Sequence, residues 1–184
     1  MGNAVLNTNL SVDAIISGRE LTWVESPILG IQRGLLERNG GDTRGRVTSL
    51  VRFAPNSRFP SHSHPAGEEF LVLSGVFSDS QGHYRAGTYV RNPPGSSHAP
   101  FSQSGCTLFV KLAQFRQEDI LAVVIDSHES VLWRKESQGL MTLALFEDRY
   151  EQVELLKLKA DTRQQIESIE DSLLYRKTGH LSSR

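Results

Sequence analysis

Residues 61–75 read SHSHPAGEEFLVLSG and residues 93–98 read PPGSSH. Side chains alternate along an extended chain, so His62 and His64 leave the same face with roots about 7 Å apart, and both can reach one ion. Pro65 and Gly67 let the chain turn, and Glu68 then returns a carboxylate toward the same spot as the next strand begins. His98 adds a third imidazole from a distant strand end entered through Pro93-Pro94-Gly95. Neutral imidazoles with one carboxylate suit Zn, Fe, Mn, Ni or Cu better than Ca or Mg, and leave positions open on metals that take five or six ligands. An isolated His-x-His is more often a pair of surface histidines among residues such as Ser61, Ser63, Ser96 and Ser97. Two matched segments favour the metal.

Outward from this stretch the chain reads as β structure. Residues 47–54, 69–73 and 106–112 are short runs rich in β-branched and aromatic residues, separated by turn signals. Asn39-Gly40-Gly41-Asp42 and Asp79-Ser80-Gln81-Gly82 supply left-handed residues for tight reversals, and two adjacent prolines exclude a paired strand at 93–94. Many short strands joined by turns predict an all-β sandwich or barrel.

The second part of the chain looks like the first with a piece removed. Trp23 and Gly30 reappear as Trp133 and Gly139, residues 47–54 match 153–160 in pattern, and Leu108–Lys111 match Leu174–Lys177, with about 40 residues missing between the last two segments. In the shortened gap, Asp161 followed by Gln164 is a helix-start arrangement, and Ile166, Ile169 and Leu173 share one face, so a short C-terminal helix is expected over 161–176. The division expected is residues 1–118 as a metal-binding barrel and 119–184 as a truncated second repeat without metal motifs.

The two motif segments resemble those of the cupin superfamily. His62, His64, Glu68 and Gly75 follow Asn56 in the spacing G-x5-H-x-H-x3-E-x6-G, and Gly87, Pro93, Gly95 and His98 satisfy G-x5-P-x-G-x2-H, with Ser102 where that motif ends in Asn. Asn56 replaces a glycine but tolerates positive φ. Glu68 rather than Glu69 fits both halves of the first motif. The resemblance therefore implies an RmlC-like double-stranded β-helix, or jelly roll, with one divalent transition metal held by His62, His64, Glu68 and His98. Zinc stands ahead of iron and manganese. The wording of HPAGEEFLVLSGVFSD, AGTYVRNPPGSSHAPF and GCTLFVKL is similar to ChrR-type cupins, the metal-binding domains of zinc-dependent anti-sigma factors and their stand-alone relatives. In ChrR an N-terminal helical domain with an H-x3-C-x2-C motif holds the sigma factor; Cys106 is the single cysteine here, so a sigma-factor partner is not expected.

The resemblance implies a cupin that binds or senses a small molecule at the metal, or alternatively a mononuclear metal-dependent dioxygenase acting on a small diketone or aromatic ketone. Twenty Lys and Arg against 21 Asp and Glu give a net charge of -1 in 184 residues, which excludes a global pull toward nucleic acid. There is no basic and apolar leader, no apolar run long enough for a bilayer, and one cysteine, so a cytoplasmic location away from membranes is expected. Assembly is expected to be a homodimer, because a shortened repeat leaves apolar faces uncovered and the run Ile120–Ile125 most needs cover. Cys106 reads as a small buried hydrophobe, His83, His128 and His180 as exposed, and Tyr89, Arg91 and Phe101 as candidates for the cavity lining.

Overall fold

The computed structural model describes residues 5–9, 16, 21–40, 45–137, 139–158 and 172–179. Its strands are β1 (Trp23–Glu25), β2 (Ile31–Asn39), β3 (Arg46–Phe53), β4 (Ser57–Arg58), β5 (His62–His64), β6 (Glu68–Ser78), β7 (His83–Arg85) and β8 (Thr88–Asn92), followed by β9 (Ser96–His98), β10 (Phe101–Ser102), β11 (Cys106–Leu112), β12 (Val123–Asp126), β13 (Arg134–Ser137), β14 (Leu140–Glu147), β15 (Glu151–Leu158) and β16 (Ser172–Gly179). The only helical element among the described residues is the single 3-10 turn Ser130–Leu132. None is long and apolar enough to cross a membrane. The all-β expectation holds.

The chain divides into two compact units, Met1–Val124 and Ile125–Arg184. In the first, β1, β2, β3, β11 and β6 are successive antiparallel neighbours. The alternation of each strand sends Val51 and Phe53, Phe70 and Val72, and Cys106, Leu108 and Val110 into one core, where Ile31, Phe77, Tyr84 and Val90 join them. Each large side chain so buried contributes about 1.5–3 kcal/mol. Cys106 is one of these packing residues, and burial pushes its thiol up to about 11.

The long strand β6 curls the sheet. Its start, Glu68–Leu71, lies between β11 and β8, whereas Val76–Ser78 pair with β7, and Ser78 also faces Phe101 of β10. Gly75 sits between the two parts at φ 74, against the backbone of Gly105. Asn56, in the place of the first motif's opening glycine, has φ 61, which an asparagine accepts. Ser102 is fully buried, and its hydroxyl donates to the Val76 carbonyl at 2.6 Å, tying β10 to β6.

The outward face of the same strands carries a buried charged group among apolar neighbours such as Leu71. Tyr89 and Arg91 stand opposite Leu71 and Glu69, alternate with the core residue Val90, and so point away from the barrel interior. Arg91 is entirely buried beside Glu69 and Asp119, with Phe115 stacked 4.1 Å from its guanidinium. The expectation that Tyr89 and Arg91 line the cavity is therefore corrected by the register of β8. Phe101 is half-buried and packs near Arg58 and His83.

The second unit contains one antiparallel sheet in the order β13-β14-β15-β16. The set β1-β2-β3-β11 is likewise antiparallel throughout, and each set has a register shift between its second and third strands, between Leu35 and Glu37 in β2 and between Ala144 and Phe146 in β14. Leu143, Leu145, Phe146, Val153, Leu155 and Leu158 are buried. Of the helix expected over 161–176, residues 161–171 lie outside the described residues, and 172–176 belong to β16, where the chain takes the backbone pairing offered by β15.

Candidate metal centre

The two motif segments meet as a short antiparallel ribbon. β5 pairs with β9 in the register His62 to His98, Ser63 to Ser97 and His64 to Ser96, which puts the three imidazoles on one face. Their ring centroids are 4.7–5.0 Å apart, and their ring nitrogens form a group able to hold a metal ion. Glu68, the first residue of β6, comes to the same place. Its Oε2 lies 3.5 Å from His64 Nε2 and 3.6 Å from His98 Nε2, and those two nitrogens are 3.1 Å apart. Ligands at about 2.0–2.1 Å around a tetrahedral ion are about 3.3 Å from one another. The donor set and its spacing fit such an ion.

Glu69 lies on the other side of β6, paired with Arg91. His83 is exposed with its Nδ1 2.8 Å from Ser78 Oγ, His128 is exposed beside Asp126, and His180 lies outside the described residues.

Burial governs the protonation of this cluster. His64 is held down at about 4, first by desolvation and then by the charges of His62 and Arg33. Desolvation also lowers His98, against the opposing pull of Glu68. The Glu68 carboxyl is raised because it is buried, although His98 and a hydrogen bond from Asn92 Nδ2 at 3.3 Å work the other way. Burial thus favours the neutral forms of His64 and His98, whose lone pairs stay available.

Further polar residues around the ligands escaped the sequence reading. His62 Nδ1 is 2.9 Å from the Pro60 carbonyl, and His98 Nδ1 is 3.3 Å from Asp79 Oδ2. Asn92 faces Glu68 across the β6–β8 pair. Arg33 shares the inward face of β2 with Ile31 and stands opposite Val51, and its charge acts on both His64 and Glu68. Ser96 Oγ, beside His64 in the ribbon, is shut from solvent with no hydrogen-bond partner among the described residues. Only the position of Asn92, six residues before His98, could have been read from the motif spacing.

Comparison with known proteins places the geometry in a family context. The family model described as the ChrR cupin-like domain matches residues 11–116. No curated protein matches the chain. Among solved structures, a candidate dioxygenase from Nostoc punctiforme PCC 73102 is 19% identical, with 76% of this chain and 55% of that one covered at a TM-score of 0.58. A candidate acetylacetone dioxygenase from Methylibium petroleiphilum PM1 is 14% identical, with 65% and 94% covered and a TM-score of 0.50. Rhodobacter sphaeroides SigE in complex with the anti-sigma ChrR matches at 20% identity, 52% and 51% coverage and a TM-score of 0.43. The chain spans about half the length of the Nostoc and Rhodobacter chains. At these identities the likeness shows the fold, a cupin jelly roll.

Proposed function

This chain belongs to the ChrR cupin-like family, and on that premise we propose that it binds one divalent transition metal and uses it to bind or sense a small molecule. The observation that carries the reading is the convergence of His64 Nε2, His98 Nε2 and Glu68 Oε2 at 3.1–3.6 Å, with His62 beside them. His62, His64, Glu68 and His98 would hold the ion. Zinc is favoured because three imidazoles and one carboxylate match its preferred donors; iron and manganese accept the same set. When bound, the ion would supply a Lewis acid, and an ion that takes five or six ligands would keep positions for a ligand atom beside these four residues.

The protein's own residues shape that ligand's surroundings. Arg33 makes the inward face of β2 electropositive, and Ser96 offers a hydroxyl next to His64, a combination that favours a small oxygen-rich anion such as a carboxylate or an enolate. Residues 119–184 are read as a truncated second repeat without a metal site of its own, the protein as cytoplasmic, and its assembly as a homodimer. No sigma-factor or nucleic-acid partner is part of this reading.

Metal analysis of protein purified without added metal tests the proposal. Close to one equivalent per chain is expected, falling sharply in His98→Ala; full occupancy in that variant would remove His98 from the site. Titration of the loaded protein with acetylacetone, while dissolved O2 is followed, separates binding from turnover. Saturable binding without O2 uptake supports a binding or sensing protein, whereas sustained uptake would replace that reading with a dioxygenase.

A further inference from the structure

Asp79 lies in the turn between β6 and β7, 19 residues before His98 in sequence, and the fold brings the two together. Its carboxylate is buried, with 5% of the side chain exposed, and it is not spent on an ion pair with Lys or Arg among the described contacts. One oxygen, Oδ1, accepts the backbone N–H groups of Gln81 at 2.8 Å and Gly82 at 3.2 Å, with the Tyr84 hydroxyl at 3.4 Å. These contacts fix the side-chain rotamer. The other oxygen, Oδ2, is aimed at His98 Nδ1, 3.3 Å away. A neutral imidazole carries one proton, and an acceptor at Nδ1 places it there, leaving the lone pair on Nε2. His98 Nε2 is the atom that faces His64 and Glu68.

We propose that Asp79 is a positioning residue for the metal centre, fixing the tautomer and ring orientation of His98 so that Nε2 is presented to the ion. This rests on the reading of the cluster as a metal site. The Pro60 carbonyl does the equivalent for His62, but a backbone acceptor is the same in every sequence, whereas Asp79 is a side chain that can be replaced. A carboxylate acceptor also gains strength when the ion polarises the imidazole N–H, which is why outer partners of this kind typically change metal affinity by about 10–100-fold.

Asn and Ala at this position separate positioning from mere structure. Asp79→Asn retains the shape, but its single oxygen can serve either the turn or His98. If the oxygen keeps the Gln81 and Gly82 contacts, the amide N–H₂ faces Nδ1 and drives the proton of His98 onto Nε2, the tautomer that opposes metal binding. Asp79→Ala leaves Nδ1 without this partner and without a competing donor.

The experiment has two readouts. Long-range 1H–15N spectra of the metal-free protein at pH 7.5 report the His98 tautomer, assigned by loss of its signals in His98→Ala. Competition with a chromophoric chelator reports zinc affinity. The wild type should show the Nδ1–H tautomer, Asp79→Asn should shift to Nε2–H, and zinc affinity should fall about 10–100-fold in both variants, at least as far in Asn as in Ala. A purely structural role would reverse that order, because Asn preserves the turn better, and would leave the tautomer unchanged; either outcome overturns the proposal. If wild-type protein fails to bind zinc, iron or manganese, the metal reading fails, and the tautomer measurement still shows whether Asp79 orients His98.

Discussion

The carbonyl oxygen of His64 accepts two backbone N–H groups, from Gly67 at 3.1 Å and from Gly95 at 2.9 Å. One peptide therefore anchors both the turn that leads to Glu68 and the turn that leads to His98. The ligand cluster is held together by main-chain bonds that do not depend on an ion, which accounts for its convergence at ligand spacing.

Glycines of the two motifs should differ in their tolerance of a methyl group. Gly95 has φ 86 with no neighbouring atom within 4 Å of the added carbon, so Gly95→Ala carries only the backbone cost of about 1–2 kcal/mol. At Gly75 a methyl would meet the Gly105 carbonyl oxygen at 2.0 Å. Thermal unfolding should show a much larger loss for Gly75→Ala than for Gly95→Ala. Equal shifts would mean that the bend in β6 relaxes freely.

The buried group behind the metal candidates makes a second prediction. Arg91 bridges Glu69 and Asp119, and none of these side chains is more than 2% exposed. Removing the cation in Arg91→Met leaves two buried carboxylates facing an apolar chain, a loss of about 3–5 kcal/mol. Combining it with Glu69→Gln and Asp119→Asn should recover part of that loss in denaturant unfolding. A triple variant no more stable than Arg91→Met would show that packing, not charge, holds the group.

The meeting of His62, His64, Glu68 and His98 and the antiparallel β architecture were legible because both live in local spacing: His-x-His, a glycine turn, a carboxylate and Pro-x-Gly-x-x-His are each contained in a few residues. Asp79 was not. In sequence it is an ordinary turn aspartate, and its Oδ1 does make the ordinary turn bonds; only the pairing of β5 with β9 brings His98 to its other oxygen. Tyr89 and Arg91 were placed on the wrong side for a related reason. Their proximity to the second motif says nothing about strand phase, which is set by Val90 packing into the core. At the C-terminal end, an apolar spacing of three and four suited a helix, but residues 172–176 pair with β15, and sheet hydrogen bonds outweigh a weak local period.

Ile120, Leu121 and Val124 are 80%, 56% and 59% exposed, three large apolar side chains within five residues of the described surface. A second copy of the chain is the expected cover. Light scattering at micromolar concentration should give a mass near twice 20.5 kDa, and Val124→Asp should shift it toward the monomer without lowering metal content. A monomeric wild type would sink the homodimer, and a dimer unchanged by Val124→Asp would move its interface elsewhere.

Metal binding should be linked to pH in part through Glu68. An ion takes a carboxylate and imidazole lone pairs, so every proton on the cluster competes with it. His64, at about 4, is neutral well below pH 7 and burial shifts His98 in the same direction, whereas burial makes Glu68 keep its proton above the ordinary carboxylate range. As pH falls, protons on Glu68, whose carboxyl is raised by burial, compete with the ion, and His64 takes its proton near pH 4. The stability of the metal-free protein has the opposite dependence on the two groups. Unfolded His64 takes a proton near 6.5 and folded His64 near 4, so its contribution is intact above 6.5 and is lost as pH falls from 6.5 to 4. For Glu68 the folded value is the higher one, so the burial penalty of its charged form is relieved as pH falls through that raised value. Glu68→Gln should therefore stabilise the metal-free protein near neutral pH while weakening zinc binding. Calorimetry in buffers of different ionisation enthalpy should find proton release on zinc binding that grows as pH falls in the wild type and is smaller in Glu68→Gln. Identical proton release from the two proteins as pH falls would show that Glu68 is ionised before the ion arrives, and would overturn this account of the site's electrostatics.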